Sequence, residues 1–279
     1  MIYLILAFVC SALISTLMRV GEKKIQNNMT MFMANYLVCA LLALFYKGNF
    51  SFHTQEEGIW FSVTLGVAAG FLFLANFILL QFNIRKNGIV LSGTFMKLGL
   101  LVPIIMAVTV FRERPQLFQI LGCVVAIAAI IIVQFDKTAL GEGKHKIWLV
   151  IMLLVSGFTD SLSNIYEKLG NPNLKEDYLL FVFLVAFLFA AIEKVMKHQK
   201  ITGNDLLYGC LIGIPNYFSA RFLLLSLSEL PAVLVYPVYS VATIVLLTVI
   251  GIVIFKEKMT AKKWIALVMI LVALAMMNM

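Results

Sequence analysis

A four-residue junction occurs twice in this chain, once near the middle and once near the C-terminus. Phe111-Arg112-Glu113-Arg114 is echoed 144 residues later by Phe255-Lys256-Glu257-Lys258, and each copy separates two long apolar segments. A repeat at a fixed spacing of about half the chain indicates one structural unit used twice. We therefore expect two related halves.

The composition places these halves in a membrane. Of the 279 residues, 62% are hydrophobic and 13% are charged, and the mean hydropathy is +0.99. Soluble domains have roughly 45–50% apolar residues, so this chain has too few charges to cover a water-facing surface. We predict an integral membrane protein that contacts the lipid bilayer, in a bacterial plasma membrane. The Lys and Arg lie in short loops, where they orient helices, so nucleic acid is not an expected partner.

Ten apolar segments have the length that a bilayer requires, which is about 20 residues for a 30 Å hydrocarbon core. They are predicted near 2–20, 29–46, 58–80, 87–111, 115–134, 146–169, 177–195, 203–227, 231–255 and 262–278. The fold class is therefore all-α, with ten transmembrane helices. The polar segment 134–146 divides them into two repeats of five, residues 1–135 and 146–279. Because five is odd, the second repeat enters the membrane inverted, as in many secondary transporters.

Small residues one helical turn apart recur in both repeats. Gly66 and Gly70 of the third span match Gly209 and Gly213 of the eighth at an offset of 143. Small residues four apart let helices approach closely in lipid, so both pairs are predicted at helix interfaces.

The loop charges predict an orientation. Most Lys and Arg of the loops and span ends follow odd-numbered spans. The positive-inside rule therefore places the odd-numbered loops in the cytoplasm and both termini outside. Glu113 and Glu257 each precede a helix, where a carboxylate complements the helix dipole.

The C-terminal sequence resembles a known transporter class. From Tyr236 it is YPVYSVATIVLLTVIGIVIFKEKMTAKKWIALVMILVALAMMNM, similar to the end of drug/metabolite transporter superfamily proteins and to the last two helices of small multidrug-resistance exporters. The first half repeats the pattern as GLLVPIIMAVTVFRERPQLFQILGCVVAIAAIIIV. With ten spans and both junctions, the resemblance covers essentially the whole chain and is closest to the ten-helix, EamA-like branch.

The resemblance implies a secondary transporter of small organic solutes, with a central cavity between two inverted five-helix repeats. It leaves the substrate open, since amino acids, sugars, nucleotide conjugates, sugar phosphates and drugs are all carried within the superfamily. Two features of this chain differ from what is usual in these transporter families. Ten-helix relatives usually keep both termini in the cytoplasm, and Ser15 lies where small multidrug exporters have a membrane glutamate.

Three ionisable residues inside the predicted spans are functional candidates, because a charge at bilayer depth costs about 3 kcal/mol or more. Lys97 lies deep in the fourth span and either contacts substrate or ion, or pairs with Asp160. Asp160 is either a proton carrier or a counter-ion. Arg221 either lines a cavity, where its guanidinium suits a carboxylate or phosphate, or extends to the membrane surface.

Neutral polar residues extend this candidate set. They are Asn164, which shares a helix face with Asp160, together with Tyr217, Tyr239, Ser240 and Asn76. Tyrosines line cavities but also anchor helices at the interface, and Asn76 is equally suited to a packing hydrogen bond. We expect these residues, with Lys97, Asp160 and Arg221, to bind a small-molecule substrate.

The function predicted from these residues is secondary transport by alternating access. Lys97 and Arg221 against Asp160 leave a surplus positive charge, which favours an anionic or zwitterionic solute, with a coupling proton as a further partner. The alternative is a proton-coupled exporter of hydrophobic cations that uses Asp160. A membrane enzyme or scaffold is a third class. We expect no cofactor, metal or catalytic residue, because the sequence has no phosphate-binding loop, ligand cluster or nucleophile motif.

Overall fold

The computed structural model describes residues 1–48, 56–87, 95–96, 98–134, 146–197 and 201–256, with isolated pairs of residues between 264 and 276. The regular structure of these residues is helical, and no strand occurs among them. The α-helices with defined bounds are α1 (Ile2–Gly21), α2 (Asn28–Lys47), α3 (Ile59–Asn87), α4 (Leu101–Thr109), α5 (Leu117–Gln134), α6 (Lys146–Leu169), α7 (Lys175–Met196), α8 (Gly203–Glu229) and α9 (Ala232–Val253). The short 3₁₀ helix Pro172–Leu174 precedes α7.

The all-α fold class is confirmed. Within the described ranges, seven helices are long and apolar enough to cross a membrane, namely α1, α2, α3 and α6 to α9. Helix α5 supplies a shorter apolar stretch, Leu117–Ala129. Residues 88–94 and 97 of the fourth predicted span, 87–111, lie outside the described residues, and the described residues of the tenth, 262–278, are helical. The number of ten spans and their inverted repeats therefore stay predictions.

The helices form two compact units. Unit 1 contains Met1–Leu74 and Ile165–Ser228, and unit 2 contains Ala75–Asn164 and Glu229–Met279. Each unit therefore takes segments from both halves of the chain. The repeats predicted at 1–135 and 146–279 are defined by matching sequence, and the division into compact units does not test them.

Both glycine pairs lie at close helix contacts within unit 1, as predicted. A Cβ added to Gly66 would lie 2.8 Å from the Tyr178 carbonyl oxygen of α7, and one added to Gly209 would lie 2.4 Å from the Met31 carbonyl oxygen of α2. Gly70 meets Val182 of α7, and Gly213 meets Asn35 of α2, in the same way. The backbones touch because these positions have no side chain.

Gly209→Ala should therefore destabilise the protein by about 1–3 kcal/mol, because overpacking forces backbone shifts. The measurement is the melting temperature of the purified chain. Gly203→Ala is the matched control, since a Cβ at Gly203 in the same helix meets nothing within 4 Å. Equal melting temperatures for the two variants would contradict a tight contact between α8 and α2.

The repeated junction also has a repeated backbone conformation. Arg112 and Lys256 occupy the same position in the two copies and both have positive φ, at 54° and 51°. The helix ends before them match too, since the Phe111 N–H donates to Met106 and the Phe255 N–H donates to Ile250, at 3.2 and 3.4 Å. The two copies of the junction therefore share a local backbone conformation as well as a sequence pattern.

The position of Glu113 corrects one expectation. Its carboxylate accepts hydrogen bonds from the N–H groups of Ala232 and Val233, both at 3.2 Å, at the start of α9. Glu113 therefore caps α9, a helix distant in sequence. Its role is structural, as predicted, but it joins two parts of unit 2. The equivalent Glu257 lies outside the described residues.

Candidate functional site

The structure divides the predicted site residues between the two units. Unit 1 holds Tyr217 and Arg221, whereas unit 2 holds Asn76, Asp160, Asn164, Tyr239 and Ser240. Lys97 lies outside the described residues.

In unit 1, Arg221 is held by an acidic partner that the sequence did not indicate. Its Nε lies 2.7 Å from Oε1 of Glu176, in the first turn of α7. The hydroxyl of Tyr217, one turn before Arg221 on α8, donates to the other carboxylate oxygen at 2.6 Å. Both oxygens of Glu176 are therefore engaged by α8, and charge-assisted bonds of this kind are strong and directional.

The face of the guanidinium lies against an aromatic ring. The Arg221 Cζ is 4.3 Å from the centre of the Tyr46 ring, and that ring stacks on Tyr217 with centroids 5.8 Å apart. A cation over an aromatic face is attracted by the ring quadrupole. We call Arg221, Glu176, Tyr217 and Tyr46 the arginine cluster.

The arginine cluster leaves one edge of the guanidinium available. The Arg221 side chain is 27% exposed, and its contacts with described residues use Nε and the ring face. The terminal nitrogens Nη1 and Nη2 bond to no described group. This pair of N–H donors matches the two oxygens of a carboxylate or phosphate.

Glu176 also changes the charge argument made from the sequence. Arg221 was counted there as a surplus positive charge, but the carboxylate of Glu176 balances it. The pair is neutral as a whole and presents charges of both signs. Sequence reasoning missed Glu176 because it lies one residue before the predicted seventh span and 45 residues from Arg221.

A row of charges fixes the start of α7 and with it Glu176. Lys175 pairs with Glu167 at the end of α6 at 2.9 Å, and Asp177 pairs with Lys47 at the end of α2 at 2.5 Å. Three consecutive residues of α7 thus bind three other helical segments of unit 1. This holds the carboxylate that positions Arg221.

In unit 2, polar residues follow one face of α6. Ser156 donates to the Met96 carbonyl at 3.2 Å, and the Tyr236 hydroxyl of α9 donates to the Asp160 carbonyl at 2.6 Å. Asp160 itself is half-buried. We call Ser156, Asp160 and Asn164 the α6 polar face, and the Tyr236 contact shows that α9 packs against it.

Two asparagine side chains of unit 2 have buried amide atoms that lack a hydrogen-bond partner among the described residues. Asn164 is 0% exposed, and among the described residues neither its Oδ1 nor its Nδ2 has a hydrogen-bond partner. The buried Oδ1 of Asn76 also lacks a described partner.

On α9, Tyr239 is half-buried and Ser240 is buried. The described part of the chain contains no cluster of His, Cys, Asp and Glu that could hold a metal ion.

These features define a polytopic α-helical membrane protein with polar clusters inside its helical units. Residues 177–270, about a third of the chain, match the family described as Small Multidrug Resistance protein. This match confirms the resemblance of the C-terminal sequence to small multidrug-resistance exporters and extends it back to α7, whereas the EamA-like branch stays a prediction.

Two further comparisons cover nearly the whole chain. A Haemophilus influenzae protein described as uncharacterized is 24% identical over 286 residues, which span 97% of this chain and 95% of the relative. A crystal structure whose title names no function has a TM-score of 0.80 at 10% identity, covering 99% of this chain and 94% of that one. That likeness shows a shared fold.

Proposed function

We propose that this protein is a secondary transporter of a small organic solute with an acidic group, and that zwitterions are its preferred substrates. The observation that carries this proposal is the arginine cluster, in which Arg221 offers two N–H donors beside a balancing carboxylate. An ionised side chain in a membrane helix is a functional candidate by default. Its free edge suits the acidic group of a solute.

The neutral Arg221–Glu176 pair is the reason for preferring zwitterions. The solute carboxylate would bind the Nη edge, and a solute ammonium group would lie near Glu176 and the Tyr46 ring. Binding a pure anion would leave one net negative charge at the cluster, and this is costly in a medium of low dielectric constant. Lys97 and Asp160 stay separate proposals for unit 2, Lys97 as a contact for an acidic group and Asp160 as a contact for an amino group or a coupling proton.

The proposed transport mechanism is alternating access by two inverted five-helix repeats, as in the EamA-like branch, in a bacterial plasma membrane. The matching φ angles of Arg112 and Lys256 support a duplicated unit. Glycines of α3 meet α7 while glycines of α8 meet α2, and such reciprocal contacts are expected of repeats related by a two-fold axis. The Haemophilus relative supports a bacterial source.

Arg221→Ala should reduce uptake of acidic solutes into proteoliposomes by at least about tenfold, the factor expected from losing one charge-assisted hydrogen bond of about 1.5–3 kcal/mol. Arg221→Lys keeps the charge but loses the planar pair of donors, so uptake should stay low. The assay uses labelled zwitterionic and anionic amino acids. Arg114→Ala, at an exposed position, is the control. Unchanged uptake in Arg221→Ala would exclude this assignment.

The match to the Small Multidrug Resistance family supports a second candidate function, the proton-coupled export of hydrophobic cations. Asp160 would carry the proton in that case. Helix α7, with which the matched segment begins, has no acidic residue between Tyr178 and Ile192, and this favours the first proposal. A thermal-shift screen discriminates the two, because stabilisation by lipophilic cations alone would favour the exporter.

A further inference from the structure

We propose that Asn164 is a ligand-binding position within unit 2 that hydrogen bonds a neutral group of a solute, of a kind that both donates and accepts, such as a carboxamide. The inference rests on the proposed transport function but on a different set of residues from the arginine cluster. It therefore concerns neutral groups of a solute, whereas the arginine cluster concerns charged ones.

The first reason is that the Asn164 amide is buried without a hydrogen-bond partner. Asn164 is 0% exposed, and neither Oδ1 nor Nδ2 has a hydrogen-bond partner among the described residues. Burying a polar group without a partner is unfavourable, so native proteins pair nearly all of them. An apolar side chain of similar size would pack there at lower cost. The amide is therefore not explained by packing.

The second reason is the contrast with another asparagine of the same unit. Asn83 of α3 is also 0% exposed, but its Nδ2 donates to the carbonyls of Leu79 and Trp148 at 2.9 and 3.0 Å. Asn83 thus joins α3 to α6, which is a structural role. Asn164 makes no equivalent bond.

The third reason is the surroundings of Asn164. It lies one turn beyond Asp160 on the α6 polar face, against which Tyr236 of α9 packs. The hydroxyls of Ser156 and Ser161 are already bonded to backbone carbonyls, of Met96 and Gly157. Unlike these two hydroxyls, the Asn164 amide keeps its full hydrogen-bonding capacity for a solute.

The chemistry of an amide selects the class of group that it binds. Oδ1 accepts and Nδ2 carries two donors. A cation would satisfy only Oδ1, and an anion would satisfy only Nδ2. A carboxamide, with one carbonyl oxygen and one NH₂ group, satisfies both atoms of Asn164 at once.

The first test needs no solute. The full chain is purified as wild type, Asn164→Leu and Asn83→Leu, and the three melting temperatures are compared. We expect Asn164→Leu to melt at or above the wild-type temperature, and Asn83→Leu to melt several degrees below it. If Asn164→Leu melts as low as Asn83→Leu, the Asn164 amide is structural and the proposal is wrong.

The second test uses three small probes of similar size, namely propionamide, propionate and propylammonium. Propionamide should raise the melting temperature of the wild type and leave Asn164→Leu unchanged. If it shifts both variants equally or neither, or if only a charged probe distinguishes them, the assignment to a neutral group fails. Arg221→Ala should keep the propionamide response, so this proposal and the proposed function can fail separately.

Discussion

Replacing Lys47 with methionine should lower the free energy of unfolding by about 3–5 kcal/mol, because the change leaves a buried carboxylate without its counter-ion. Lys47 Nζ and Asp177 Oδ1 are 2.5 Å apart, and both side chains are only 3% exposed. The pair joins the end of α2 to the start of α7 within unit 1. The measurement is thermal or denaturant unfolding of the purified protein.

Two further variants separate charge burial from general damage. Lys197→Met removes an ion pair with Glu193 one turn away, where Lys197 is 54% exposed, and should cost less than about 1 kcal/mol. The double variant Lys47→Met, Asp177→Leu removes both buried charges and should recover most of the lost stability. If the double variant is as unstable as Lys47→Met alone, the uncompensated carboxylate is not the cause.

The helices could be predicted from the sequence because their lengths follow from the bilayer. Predicted spans at 203–227 and 231–255 correspond to α8 (Gly203–Glu229) and α9 (Ala232–Val253), since Pro231 and the polar residues before it interrupt the apolar pattern. The close contacts of Gly66 and Gly209 were predictable for a similar reason, because small residues at helical spacing are informative in lipid.

The partners of the polar residues could not be predicted in the same way. Arg221 and Tyr217 were visible as polar residues inside an apolar span, but Glu176 binds them through a tertiary contact that no local pattern encodes. The same holds for Glu113, whose carboxylate caps α9 across more than a hundred residues. Sequence periodicity shows which residues share a helix face, whereas pairing depends on which helices meet.

A comparison of equivalent positions in the two halves of the chain bears on the proposed function. By the offset of 143, Arg221 corresponds to Ile78 and Tyr217 to Leu74, so neither of these two members of the arginine cluster has an equivalent polar residue in the first half of the chain. The junctions and the glycine contacts are shared, and these are structural features. If the two halves are repeats, as proposed, charged groups present in only one of them are not needed to build it, and this supports the proposal that they recognise the solute.

Glu176→Gln should change the charge preference of the proposed transport. The variant keeps the size of the side chain but removes the negative charge beside Arg221, so a zwitterion loses the partner of its ammonium group. We expect zwitterion uptake to fall about 10–100-fold, the equivalent of a charge-assisted bond of about 1.5–3 kcal/mol, while singly charged anions keep or gain uptake. The measurement is paired uptake into proteoliposomes of a zwitterionic amino acid and of a monocarboxylate of similar size that has no amino group.

Glu167→Gln is the matched control for this change. Glu167 belongs to the same charged row, where it binds Lys175 at 2.9 Å, but it lies outside the arginine cluster. Its replacement should lower both uptake rates equally or not at all. An equal loss of both solutes in Glu176→Gln would mean that Glu176 only positions Arg221, and the zwitterion preference would then have no basis. A selective loss would identify Glu176 as the residue that distinguishes a zwitterion from an anion.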